Sequence, residues 1–176
     1  MSTTRRVEEV QMPDVLLQTH HLDLHVQSTE EVLARIEALA PEHRAEVSPE
    51  WLERVRTSTE PSAWTHGFAI VERMSGEMIG SCAFVGPPDA EGVVEIAYEI
   101  APAHQRRGYA REAARAASHY ALERGGARRV RAHTLRDDDA SARVLLACGY
   151  SLLGPVELPG DGRVYRWELE PPPHPA

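Results

Sequence analysis

The sequence contains no lysine; all nineteen of its strongly basic residues are arginine. That absence removes several chemistries at once. A P-loop needs its lysine on the phosphates, a protein kinase needs its strand lysine, and a Schiff-base enzyme needs a lysine nucleophile. Cysteine is scarce too. Cys82 and Cys148 are the only two, and their spacing suggests neither a bridge nor a metal site. Both read as half-buried thiols. The nine histidines are scattered, and no metal is expected. No apolar run approaches the ~18 residues of a membrane-spanning helix, so a membrane partner is not expected. The opening MSTTRRVEEV has no apolar stretch behind its arginines and is not a secretory signal. A cytoplasmic protein is the expectation. Net positive charge is also missing. The formal charge of −8 argues against nucleic acid as a partner.

What is present fits one domain with a sizeable core, expected over residues 14–170 of the 176. Residues 1–13 read as a loose arm. Residues 171–176, PPPHPA, read as a frayed tail, because such a run supports neither helix nor strand. His20 to Val26 alternates like a strand. Ser28 and Glu31 form a capping box for a helix presenting Val32, Leu33, Ile36 and Leu39. Ser48-Pro49 starts a second helix, with Trp51, Leu52 and Val55 on one face. Two strands, Gly67 to Arg73 and Glu77 to Val85, flank a hairpin turn at Ser75-Gly76. A strand follows at Val93 to Ile100, then an alanine-rich helix from Gly108 to Arg124. Arg128 to Thr134 is a strand and Asp139 to Cys148 a helix. Tyr150 to Leu153 and Arg163 to Leu169 are the last strands, joined by a turn at Pro159 to Gly162. The order βααβββαβαββ predicts an α/β fold with a mixed sheet flanked by helices.

The informative segment is Ile100-Ala101-Pro102-Ala103-His104-Gln105-Arg106-Arg107-Gly108-Tyr109-Ala110. A strand ends, proline stops it, and a short loop enters a helix. A helix N-terminus offers unpaired N–H groups and partial positive charge, which suits a pyrophosphate. Gly108 lets the backbone approach, Ala110 keeps the first turn thin, and Arg106, Arg107, Arg111 and Arg115 add charge. Local physics leaves two readings open: an anion site, or a solvated arginine-rich helix start.

Gln105-x-x-Gly108-x-Ala110 resembles the Gln/Arg-x-x-Gly-x-Gly/Ala signature of the GNAT superfamily of N-acetyltransferases. A second stretch, Ala132-His-Thr-Leu-Arg-Asp-Asp-Asp-Ala-Ser-Ala-Arg-Val-Leu-Leu-Ala-Cys-Gly-Tyr150, is similar to the branch that contains the ribosomal-protein N-terminal acetyltransferases. The two motifs are in register, and the resemblance spans about residues 14–170. It implies acetyl-CoA as acetyl donor, no metal, and an amine acceptor on a small molecule or a protein N-terminus. It implies that backbone groups of Ile100, Ala101 and Pro102 pair with the pantetheine amides. The N–H groups from Arg106 and Arg107 through Gly108, Tyr109 and Ala110 would hold the pyrophosphate. Ser141 would line the other wall. The first helices, residues 29–56, would stand beside the substrate entrance, with Trp51 and Trp64 either bordering an acceptor pocket or packed in the core. The resemblance is compatible with a monomer or a homodimer.

The chemistry needs a base for the amine and a stabilised or protonated thiolate. Glu95, Ala97 and Glu99 share one face of their strand. Glu95 stands where this branch commonly has a glutamate facing the reaction centre, and is the candidate base. Its other reading is a surface carboxylate. Two departures stand out. Asp138 occupies a turn position where many members carry asparagine, and accepts hydrogen bonds without donating them as an amide does. Leu145 replaces a tyrosine that serves many relatives as acid. Ser141 becomes the candidate donor, with water, Tyr98 and Tyr150 as alternatives. A non-catalytic acyl-CoA-binding module, a purely structural protein on this fold, and transfer of a longer acyl group are the competing readings.

Overall fold

The computed structural model describes residues 15–173. The loose arm expected at residues 1–13 and the end of the tail, residues 174–176, lie outside them. The elements are β1 (Val15–Gln18), β2 (Leu22–Val26), α1 (Thr29–Glu37), α2 (Pro41–Ala45), α3 (Pro49–Thr57), β3 (Phe68–Glu72), β4 (Met78–Phe84), β5 (Val93–Ile100), α4 (Tyr109–Glu123), β6 (Arg129–Thr134), α5 (Ala140–Ala147), β7 (Ser151–Leu158) and β8 (Gly162–Leu169). A 3₁₀ turn, Pro102–His104, precedes α4.

One eight-stranded sheet runs β1-β2-β3-β4-β5-β6-β8-β7. Every neighbouring pair is antiparallel except β5–β6, which is parallel. This is the mixed α/β architecture that the alternation of elements predicts. The order differs by one strand and one helix. β1 is a four-residue edge strand, VLLQ, too short to show alternation. α2 is a single turn that buries none of its residues, so it leaves no apolar period to detect. β7 runs past Gly154-Pro155 to Leu158. Proline is tolerated there because β7 is an edge strand, and the register shifts between Leu152 and Gly154.

The capping box at Ser28 and Glu31 forms as expected, and Ser48 caps α3 through the Trp51 amide. α4 has a different basis. Its alanines Ala113, Ala114, Ala117 and Ala121 are fully buried, and their small side chains let the helix lie flush on β5. The main core gathers these with Leu22, Leu24, Phe68, Ile70, Val130, Leu145 and Trp167. Trp64 belongs to it, its ring centroid 4.8 Å from that of Phe84. Trp51 instead ties α3 to the following loop, donating from Nε1 to the Thr65 carbonyl at 2.8 Å. A smaller second core, Val32, Ile36 and Val55, holds α1 and α3 together.

Candidate active site

The parallel pairing of β5 and β6 stops early. Val93, Val94 and Glu95 pair with Arg129, Val130 and Arg131, yet β5 continues to Ile100 and β6 to Thr134. The two strands therefore diverge from Glu95 onward and open a wedge in the sheet. The Glu95 carbonyl and the Ala101 amide are used on the β4 side, bonded to Val85 N–H and the Ile79 carbonyl. Main-chain groups alternate sides along a strand. Those of Ile96, Tyr98 and Ile100 consequently face the wedge, an edge that no strand pairs and to which an extended chain with amide groups can add.

A groove of about 730 Å³ runs from this edge along the start of α4 and past α5. Among its lining residues are Ile100, Gln105, Arg106, Gly108, Tyr109, Ala110 and Ser141. The sequence motif thus converges on one cavity. Arg106 and Gly108 both have positive φ, 63° and 82°. Left-handed residues at a helix start curl successive N–H groups toward one point and make an anion-binding concavity. Gly108 is the N-cap of α4, where no side chain caps the first turn. Gln105 closes the loop on itself, donating from Nε2 to the Ile100 carbonyl at 2.9 Å. Below the loop, Tyr109 donates its hydroxyl to Glu72 at 2.5 Å; this contact holds the Glu72 carboxyl below the usual carboxylate range. His104 also lines the groove, and its Nδ1 is the single buried side-chain polar atom without a partner among the described residues. Ala101, Pro102, Arg107 and Asp138 are not among the groove residues. Asp138 is exposed and accepts from Arg136 Nε at 3.1 Å, which keeps its carboxyl low.

At the narrow end of the wedge a second cavity of about 160 Å³ is lined by Glu95, Ile96, Ala97, Tyr98, Ala132, His133, Thr134, Ser141 and Leu145. Only Tyr98 and Ser141 border both cavities. Ser141 is exposed, and Tyr98 reaches the Ser141 carbonyl at 3.4 Å. Burial pushes the Tyr98 phenol up, so it stays protonated at neutral pH. Tyr150 is elsewhere, its hydroxyl 2.7 Å from that of Ser118 inside the core. Cys148 contacts the Arg111 carbonyl, and burial raises its thiol, which leaves no reactive thiolate.

Glu95 does not stand alone. Its Oε1 lies 2.9 Å from His133 Nδ1, and Arg166 Nε donates to His133 Nε2 at 3.2 Å. The sequence singles out Glu95 and gives no sign of either partner. They come from β6 and β8, and only the register that sets His133 opposite Arg166 brings them together. Among the described residues no group of three or more histidine, cysteine, aspartate or glutamate side chains could hold a metal. His21 and His25 are four apart, but His21 precedes β2 and pairs with Glu112 at the start of α4, while His25 lies within the strand. No helix among the described residues is long and apolar enough to cross a membrane.

Comparison with known proteins agrees with this geometry. Residues 16–151 match the family described as acetyltransferase (GNAT) domain. The uncharacterised N-acetyltransferase YjdG of Bacillus subtilis is 34% identical over 91 residues, 50% of this chain and 54% of that protein. The match thus spans about half the length of that relative. Two solved structures share the fold. One is a ribosomal L7/L12 α-N-protein acetyltransferase in complex with coenzyme A, with a TM-score of 0.64 and 19% identity over 86% of this chain and 95% of that one. The other is a spermidine/spermine N-acetyltransferase from Vibrio cholerae, with a TM-score of 0.64 and 16% identity over 85% and 92%. The chain belongs to the GNAT acetyltransferase family.

Proposed function

We propose that this protein transfers the acetyl group of acetyl-coenzyme A directly to a primary amine. One observation carries the reading: the groove that holds the Gln105-x-x-Gly108-x-Ala110 loop leads into the wedge where Glu95 stands. The residues suit the donor molecule. The left-handed turn at Arg106 and Gly108 fits a pyrophosphate, and the open edge of β5 fits the amides of a pantetheine arm. The partnerless Nδ1 of His104 marks a polar site beside the groove.

In this scheme Glu95, directly or through one water, takes a proton from the amine as its nitrogen bonds to the acetyl carbon. The carbon–sulfur bond breaks. The sulfur then receives a proton at the junction of the two cavities, where the Ser141 and Tyr98 hydroxyls are available. This pair fills the role left open by Leu145, which is buried and can do no acid chemistry. The acceptor is an amine on a small molecule or a protein N-terminus. The charge of −8 favours cationic amines through long-range attraction. The named activities of the two structural neighbours, on a ribosomal protein and on polyamines, lie within that class.

Leu145 also favours a second reading, an acyl-CoA binder without turnover. Glu95→Gln separates the two. An enzyme loses about 10²-fold or more in kcat with its acetyl-CoA affinity retained. A pure binder shows no thiol release in either form, over a panel of amines and peptides.

A further inference from the structure

The Arg166–His133–Glu95 chain holds more than a hydrogen-bonded pair. An arginine Nε can only donate. At 3.2 Å from it, His133 Nε2 must accept, so the ring is neutral and its proton is on Nδ1. That proton points at Glu95 Oε1, 2.9 Å away. His133 is nearly enclosed, 10% exposed, while Glu95 is 37% exposed. The other charged side chains on this face of the three strands are accounted for. Arg129 and Arg131 of β6 are both taken up by Glu168 of β8. Glu99 lies two pleats along β5 from Glu95. Arg166 makes no ion pair among the described residues, so its one hydrogen bond from Nε is spent on the imidazole.

We infer that His133 is a positioning residue: Arg166 fixes its tautomer so that Nδ1–H orients the Glu95 carboxylate and leaves Oε2 free for the reacting amine. With both nitrogens engaged, His133 has no lone pair with which to act as a base or a relay. Its donation to Oε1 holds the carboxylate in one rotamer. A wandering carboxylate would lose the near-attack geometry that makes a general base effective. This rests on the acetyl-transfer reading with Glu95 as base.

The test uses the full chain with acetyl-CoA and whichever amine supports thiol release. His133→Ala is expected to lower kcat at least tenfold, with the KM for acetyl-CoA within twofold of the parent value. His133→Asn, whose amide N–H takes the place of Nδ1–H, should recover most of the rate. Nitrogen-15 spectra of the histidine rings give a reading independent of turnover. They should show His133 protonated at Nδ1 and bare at Nε2 at neutral pH. An Nε2–H tautomer, a ring protonated on both nitrogens, or equal loss in the alanine and asparagine variants overturns the proposal. Full activity in Glu95→Gln would instead remove the base reading itself. Loss in Glu95→Gln alongside unaffected His133 variants would remove only the chain.

Discussion

The helices on the two sides of this site are held very differently. α4, which begins at the groove, buries Tyr109, Ala113, Ala114, Ala117, Ser118 and Ala121 against the sheet. α1 buries two residues, α3 one and α2 none, and their small core is separate from the main one. The side proposed to hold the donor is therefore built on closely packed backbone. The side expected to face the acceptor is a light layer joined to itself by Val32, Ile36 and Val55. A donor common to many reactions needs one fixed shape. An acceptor site can change by repacking a few side chains, and a layer with a small core of its own permits that without disturbing the sheet.

Breaking the donor side should have the largest effect. Gly108→Val places a β-branched residue at φ 82°, a conformation such side chains rarely adopt, with its methyls at the mouth of the groove. Backbone strain of about 1–3 kcal/mol is expected in stability. Acetyl-CoA affinity should drop at least 100-fold by calorimetry. A drop under fivefold would mean that the loop does not hold the donor.

Breaking the acceptor layer should give the opposite signature. Ile36→Ala empties part of the second core and should cost about 2–4 kcal/mol in denaturant titration. Acetyl-CoA affinity should stay within twofold while the KM for the amine rises severalfold. A matching loss of acetyl-CoA affinity would show that the two layers are one cooperative unit after all.

The smallest effect is a pH dependence located on the acceptor layer. Burial holds His66 below the ordinary histidine value. Its Nδ1 accepts from the Ser62 amide, and Nε2 faces Thr29 Oγ1 at the start of α1. On acidification the unfolded chain takes up this proton first, so stability falls as pH drops through the unfolded value near ~6.5. The melting temperature should decrease between pH 7.5 and 5.5, and His66→Gln should flatten that slope. An unchanged slope in the variant would place the dependence elsewhere.

The same contrast explains what could be read in the sequence. Where a rule acts between near neighbours, the reading matched the structure: the Ser28 capping box, the Ser48-Pro49 start of α3, the span of β5 and the glycine at the head of α4. Where structure depends on distant strands, local pattern was silent. β1 exists because β2 offers an edge, and His133 meets Arg166 because β6 and β8 are in register. The wedge itself is a place where pairing stops, and an absence of pairing leaves no mark on composition. Within the expected donor set, Ile100, Gln105, Arg106, Gly108, Tyr109, Ala110 and Ser141 line one groove, and Ala101, Pro102, Arg107 and Asp138 stand outside its lining. The Ala101 amide bonds to the Ile79 carbonyl of β4, and Asp138 accepts from Arg136.

In the proposed arrangement the groove and the wedge together hold an acetyl-CoA molecule with its thioester beside Glu95. Titration calorimetry of the protein with acetyl-CoA, with adenosine diphosphate as the control ligand, tests this most directly. Acetyl-CoA is expected to bind at micromolar concentration and adenosine diphosphate at least tenfold more weakly, because the wedge edge contributes through the pantetheine arm. Equal affinity for the two, or no heat at millimolar acetyl-CoA, would contradict it.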